Sequence, residues 1–264
     1  MRVFVEGVGL LGPGLDGWNA SRASLTGAAA YVNAPTVIAA SDLLPPAERR
    51  RAGVTVKLAL AAGQAAFTHA ARDAAATATV FTSSAGDGEN LDQICATLAS
   101  ADRQISPTRF HNCVHNAAAG YWSIAVHSRE PSTSLCCYDA SFVAGLLDAA
   151  VQVAVERKAV ALIAYDQTYP EPLHAVRPLK AHFGISLVLT HELSSNAFAT
   201  LDIEFLPVAA RATQMANAAL EALRAGVPAA RCLPLLAVLA RGAADTVRLE
   251  YLRGNHLCVA VAPC

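Results

Sequence analysis

The amino-acid sequence predicts an α/β fold built on a layered sheet. Three observations carry that expectation. Short β-rich segments alternate with long helical patterns along most of the chain. Of the 264 residues, 54% are hydrophobic and only 16% charged, enough to fill a substantial core. No internal repeat or low-complexity linker, beyond an alanine bias, divides the chain.

The elements follow in order. Arg2 to Gly9 alternates and is rich in Val and Phe, then breaks on glycines, which reads as a strand. LLPPAERRR, Leu43 to Arg51, reads as a polar, proline-bearing connection. Val54 to about Ala75 is a long Ala-rich helix. Ala78 to Ser83 is a short strand ended by the turn Ala85-Gly86-Asp87-Gly88. Helical patterns follow over Glu89 to Ser100 and Pro107 to His127. A strand over Ser132 to Cys137, a helix over Ala140 to Lys158 and a strand over Ala159 to Tyr165 come next. Gly184 to His191 and Thr200 to Leu206 alternate as strands, and Arg211 to Ala225 is helical. Thr246 to Leu252 and His256 to Ala262, joined by Arg253-Gly254-Asn255, form a terminal hairpin.

Composition narrows the function classes. Lys plus Arg (20) balances Asp plus Glu (21) without a basic stripe, which argues against a nucleic-acid ligand. No charge-free apolar run approaches the length of a membrane span. The Met-Arg-Val-Phe-Val start enters a strand pattern with no signal-peptide pattern ahead of it. Seven scattered cysteines without a paired framework give the expectation of a reducing cytoplasm. A surface so short of charge suggests burial in a partner, an inference weakened because much of the apolar excess is Ala.

Gly7-x-Gly9-x-x-Gly12 after a strand has the outward form of a dinucleotide fingerprint. The acidic residue about twenty positions on is missing, so a glycine turn is the reading and no cofactor is expected. His111 and His115 sit four apart on a helical pattern with Cys113 between them, on one face as a zinc site uses. With no third ligand, they read as a core or interface pair and no metal is expected. Cys136 and Cys137 read as small apolar groups at a strand end. Asp139 opens an apolar helix carrying Phe142, Val143, Leu146, Leu147, Val151 and Val153. Asp is a favoured N-cap, and the start of a buried helix is a cradle of amides deep in the protein. The same place would ready a cysteine thiolate, whereas a carboxylate there is a poor acyl carrier.

Several segments, in order, resemble the β-ketoacyl synthase (condensing enzyme) family with its thiolase fold. VFVEGVGLLGPGLDGWNASRASLTG is similar to that family's opening strand, glycine turn and first helix. NAAAGYWSIAVHSREPSTSLCCYDASFVAG resembles the stretch from the interface helix through a strand into the nucleophile elbow. AVALIAYDQ resembles the strand after the buried helix. HFGISLVLTHELSSNAFATLDIEFL resembles the strands closing the first half. The resemblance covers roughly residues 1 to 206. It implies a thiolase-like layered fold with an essentially complete N-terminal half over 1–206. Residues 207–264 would be a shortened second half, a helix and a β-hairpin completing the same domain. With Pro131 to Leu135 matched to the family's strand, the catalytic cysteine position falls on Asp139, and Cys137 is two residues early. The two catalytic histidine motifs have no counterpart, since His256 in RGNHLCV has the wrong neighbours.

Nucleophile and both histidines are missing together, which leaves no machinery for decarboxylative condensation by the chain alone. A loading-type decarboxylase is disfavoured, because an ionised Asp139 would repel a malonyl carboxylate. The pattern most resembles the short chain-length-factor-like subunits of bacterial aryl polyene clusters. That likeness implies a heterodimer with a full-length β-ketoacyl synthase, reached by acyl carrier protein, in fatty acid or polyketide biosynthesis. In that family the strand before the nucleophile pairs across the dimer. The implied interface is Ser132, Thr133, Ser134 and Leu135 with Phe110, Tyr121 and Trp122, and Phe110, Trp122 and Phe142 are implied to line the partner's acyl tunnel. The rivals are an independent acyltransferase or hydrolase using Cys137 or Cys136 with His111 or His115 as base, and a structural thiolase-fold remnant.

Overall fold

The computed structural model describes residues 1–39, 42–207, 211–252 and 254–264. Arg253, in the turn expected of the terminal hairpin, lies outside them. Strand β1 (Arg2–Gly12) runs 11 residues, past the expected break, and folds back through the short β2 (Leu15–Asp16). The glycines expected to form a turn after this strand therefore lie within it. They serve packing: a Cβ on Gly9 would collide with the carbonyl oxygen of Ala62, and one on Gly7 with that of Ala66. Both carbonyls belong to helix α3 (Val54–Ala70). Two strand residues span about 6.6 Å and four helical residues about 6 Å, so the two periods match and the helix backbone seats on the strand.

Helices α1 (Trp18–Thr26) and α2 (Pro46–Arg51) lie between β2 and α3. The proline-bearing connection thus contains a helix, because Pro46 supplies the preset φ of a first turn and Glu48 and the arginines favour its two ends. After β3 (Ala78–Thr82) come α4 (Gly88–Ala99), α5 (Pro107–Asn112) and α6 (Ala117–Val126). The single helix expected over Pro107 to His127 is broken in two at 113–116. Strand β4 (Ser132–Leu135) ends two residues earlier than expected and leads through a 3-10 turn, Tyr138–Ala140, into α7 (Ser141–Glu156). Then follow β5 (Val160–Asp166), α8 (Leu173–Val176), β6 (Phe183–Thr190) and β7 (Ala199–Leu206). Helices α9 (Ala218–Gly226) and α10 (Leu233–Arg241) precede the hairpin of β8 (Asp245–Glu250) and β9 (His256–Pro263). The helix expected from Arg211 starts only at Ala218, where the Asn217 side chain accepts the N–H groups of Ala219 and Leu220. Helix α10 was not expected.

The strands form one mixed sheet in the order β4-β3-β5-β6-β1-β7-β9-β8, with β2 paired to β1. Strands β4, β3 and β5 run parallel and the remaining neighbours antiparallel. Apolar side chains fill both faces of the first part. Phe142, Leu146, Leu162 and Leu187 pack on one face, and Phe81, Trp122, Ile163 and Val188 on the other. The first of these cores draws on both parts of the chain, including Leu220, Leu235, Val247 and Val259. Strand β8 alternates buried and exposed residues, so the last strands are packed on one face and leave Asp202, Glu204 and Arg248 partly or fully exposed on the other. One helix, Tyr138–Glu156, has the length and hydropathy of a membrane span among the described residues, and 56% of that window is buried inside the fold. Its buried face packs on β3 and β5, as a core helix does.

Candidate functional site

The parallel strands β3, β4 and β5 end together, and their C-terminal ends carry the site, as in open α/β sheets generally. Ser83 and Ser84 follow β3, Cys136 to Asp139 follow β4, and Asp166 closes β5. Asp166 is buried and accepts three hydrogen bonds: from Ser84 N–H (2.8 Å), Ser84 Oγ (2.7 Å) and Ala229 N–H (2.8 Å). Burial pushes its carboxyl up to about 6, against the lowering effect of those bonds. The Tyr169 hydroxyl lies 3.1 Å from Ser84 Oγ.

After β4 the chain makes a sharp elbow. Tyr138 has φ 51°, the left-handed region that a bulky residue rarely enters. Ser141 braces it: its Oγ lies 2.7 Å from Tyr138 O and 3.1 Å from Ser83 O, and accepts from Cys137 N–H (3.0 Å). Thr82 Oγ1 donates to Ser141 O (2.9 Å), tying the start of α7 to the end of β3. Gly145 lets the helix approach, since a Cβ there would stand 2.7 Å from Leu162 Cδ1 and 2.8 Å from Thr82 Cγ2.

Asp139 does not cap α7. The cap position is Ala140, which makes no side-chain cap hydrogen bond. Asp139 turns outward instead and is half-buried rather than deep, its side chain 44% exposed. Its Oδ1 accepts from Arg177 Nη2 (2.8 Å), its Oδ2 lies 3.2 Å from Arg231 Nη2, and Arg231 Nη1 reaches Glu250 (3.6 Å). The Arg177 guanidinium stacks 3.4 Å above the Tyr138 ring centroid. Two largely buried cations outcompete helix amides for one carboxylate, because charge-assisted pairs are the stronger bonds. The position that resembles a nucleophile site therefore holds a carboxylate locked between two arginines.

Other expected residues separate into groups. Phe110 is exposed (64%), but Tyr121 and Trp122 are buried in this chain's own core. Trp122 stacks on Phe67 at 5.5 Å and meets Phe81 edge-on at 6.4 Å, so neither Tyr121 nor Trp122 presents a surface to a partner. Phe142 is fully buried against the opposite face of the sheet, away from any tunnel wall Trp122 could share. Ser132 to Leu135 form the last strand at one end of the sheet. Thr79 N–H donates to Pro131 O and Ser83 N–H to Leu135 O, so residues 131, 133 and 135 face β3. By alternation the backbone groups of Ser132 and Ser134 point to the open side. The other end of the sheet is engaged: Thr213 exchanges hydrogen bonds with Arg248 of β8 (2.9 Å each).

His111 lies near the end of α5 and His115 within the break after it, so the two are not on one helix. His115 Nε2 lies 2.7 Å from Leu135 O, and His111 stands edge-on to the Tyr121 ring. Cys136 Sγ donates to Ser84 O (2.9 Å), and burial pushes the Cys137 thiol up. Among the described residues no hydrogen bond joins a histidine to either thiol, and His115 instead meets the carbonyl of Leu135, the residue before Cys136. Among the same residues, no group of three or more His, Cys, Asp or Glu could hold a metal ion. Sequence reasoning missed Arg177, Arg231 and Asp166. Only Asp166 had a local signal, a carboxylate closing a wholly apolar strand.

Three comparisons place this geometry among known proteins. The family model for the β-ketoacyl synthase N-terminal domain matches residues 18–256. A search of curated proteins finds no match. Among solved structures, a ketosynthase (ApeO) in complex with its chain length factor (ApeC) from Xenorhabdus doucetiae superposes with TM-score 0.75 at 20% identity, covering 98% of this chain and 99% of that one. The ishigamide ketosynthase/chain length factor gives TM-score 0.73 at 16% identity, over 100% and 99% of the two chains. A β-ketoacyl synthase from Burkholderia phymatum gives 0.73 at 12%, over the same shares. The fold is the thiolase-like ketosynthase fold over the whole chain, and the chain belongs to the β-ketoacyl synthase N-terminal-domain family.

Proposed function

We propose that this chain is a non-catalytic, chain-length-factor-like subunit that pairs with an active β-ketoacyl synthase in aryl polyene or related fatty acid and polyketide biosynthesis. The observation that carries the reading is Asp139. A half-buried carboxylate paired to Arg177 and Arg231 is neither a nucleophile nor a free base, at the position where the family resemblance puts the catalytic cysteine. Two of the similar structures are ketosynthases described with a chain length factor, and a third is a type II acyl-carrier protein in complex with its ketosynthase. These support a synthase partner, through which acyl carrier protein would reach the pair in the cytoplasm.

The open edge of β4 supplies the docking element. Its outward N–H and C=O groups can extend the sheet into a second chain, and left bare they are an aggregation liability. Exposed Phe110, Val114 and Ile124 on α5, the following loop and α6, with Val151 and Val155 on α7, provide apolar surface in the same part of the chain. A continuous sheet across two chains implies an interface on the order of 2,000 Å² or more. Of the three aromatic residues first assigned to the acyl tunnel, Phe110 is the one exposed enough to reach the partner's chain. Residues 1–206 would supply the synthase-like part and 207–264 complete the same domain; the core shared by both parts supports their being one domain. The test is reconstitution. The pure chain turns over no malonyl- and acyl-carrier substrates, whereas adding it to the synthase changes product length by mass spectrometry. Turnover by the pure chain refutes the reading.

A further inference from the structure

Beside the Asp139 cluster a cavity of about 440 Å³ opens between the loop after α8, the end of α9 and the turn that carries Arg231. Three cations line it (Arg177, Lys180 and Arg231) against one carboxylate, Asp139. Glu250, the second acid, touches only the far nitrogen of Arg231 and is largely exposed. Both guanidiniums already have partners, Arg177 with Asp139 and Tyr169 and Arg231 with Asp139 and Glu250, but Asp139 is the one carboxylate they share. The stack on Tyr138 and the two carboxylate contacts fix the planes of both groups before any ligand arrives. Lys180 has no ion pair or hydrogen bond among the described residues. Its stem packs closely over Gly226, with Cδ 3.2 Å from where a Cβ would stand. The rest of the wall is apolar, from Val176, Leu179, Ala222 and Pro228. A concavity with convergent charges on one side and apolar side chains on the other suits a small ligand with a charged head.

We infer that this cavity binds an oxyanion, a carboxylate or a phosphate, carried on a small apolar body. Lys180 supplies the mobile point charge and the two arginines supply oriented N–H donors. Asp139 is the resident competitor, since its oxygens occupy donors that a ligand oxyanion would otherwise take. The inference stands whether or not the chain pairs with a synthase, because it uses only residues of this chain.

The experiment is calorimetric titration of the 264-residue chain, at fixed ionic strength, with hexanoate, hexyl phosphate, inorganic phosphate and hexanol. Hexanoate and hexyl phosphate are expected to bind, with hexanol at least about tenfold weaker because it lacks the charge. Lys180→Gln should weaken the two anions by about tenfold, and Asp139→Asn should tighten them by a similar factor by freeing arginine donors. A merely structural role for Asp139 would not produce opposite shifts in the two variants. Hexanol binding as tightly as hexanoate overturns the charge requirement, and inorganic phosphate matching hexyl phosphate overturns the apolar body. Wild-type affinity in Lys180→Gln overturns the site, and that variant suffices where Asp139→Asn folds poorly.

Discussion

Replacing Asp139 separates two physical accounts of the elbow. An N-cap carboxylate can be exchanged for Asn at little cost, because the amide oxygen accepts the same backbone N–H. An ion-pair carboxylate cannot, because Asn keeps the shape and loses the charge. Here the partners are Arg177 and Arg231, whose side chains are only 15% and 16% exposed, while Asp139 itself is 44% exposed. Breaking a fully buried pair costs about 3–5 kcal/mol and an exposed one less than about 1 kcal/mol. Two buried cations sharing one half-exposed anion fall between, at about 2 kcal/mol for Asp139→Asn and slightly more for Asp139→Ala. At this chain length that lowers Tm by roughly 4–8 °C. Urea unfolding in chloride buffer, free of phosphate and carboxylates, measures it through the midpoint at unchanged slope. Wild-type stability of Asp139→Asn alongside a destabilised Asp139→Ala would refute the ion-pair account and restore the cap.

Three further outcomes follow from the same geometry. Asp166, raised to about 6 in the fold from an ordinary 3.8, binds its proton more tightly folded than unfolded. Wild-type stability should therefore fall as pH rises through that interval, by on the order of 3 kcal/mol, and level off above it. Asp166→Asn should flatten the dependence in unfolding curves from pH 3.5 to 7, while losing about 1–3 kcal/mol because one buried donor is left unmatched. Gly145→Val should cost about 3 kcal/mol in the same assay, as its methyls press on Leu162 and Thr82. Asp139→Cys alone should restore no condensation in a carrier-protein assay, because the resembled family's two catalytic histidine motifs have no counterpart in the sequence.

Much of the fold was legible because it rests on local periodicity. Apolar runs such as AVALIAYDQ and GISLVLT declare buried strands wherever they sit, and the structure places both in the middle of the sheet. The misreadings came where a local signal has two physical uses. Glycines in Gly7-x-Gly9-x-x-Gly12 mark either a turn or a close helix approach, and only the position of Ala62 and Ala66 decides between them. Asp139 before an apolar helix reads equally as a cap or as an ion-pair partner. The deciding residues, Arg177 and Arg231, are 38 and 92 positions away, and nothing in HAVRPLK or AARCLP announces them. Trp122 and Phe142 were apolar in either account; burial on opposite faces of the sheet could not be read from spacing. The direction of the β4 backbone was equally invisible, and it redirects the interface experiment. Thr133→Pro would remove a bond to β3, within this chain, whereas Ser134→Pro removes a donor facing the open side.

The central claim, that β4 joins this chain to a synthase, is tested most directly by co-purification. Tagged wild-type chain and Ser134→Pro are each co-expressed with an active β-ketoacyl synthase of the same organism. Captured synthase is then quantified against helix content by circular dichroism. The account predicts a one-to-one complex with the wild type, and loss of most captured synthase with Ser134→Pro at unchanged helix content. Capture at wild-type yield by the proline variant would contradict it.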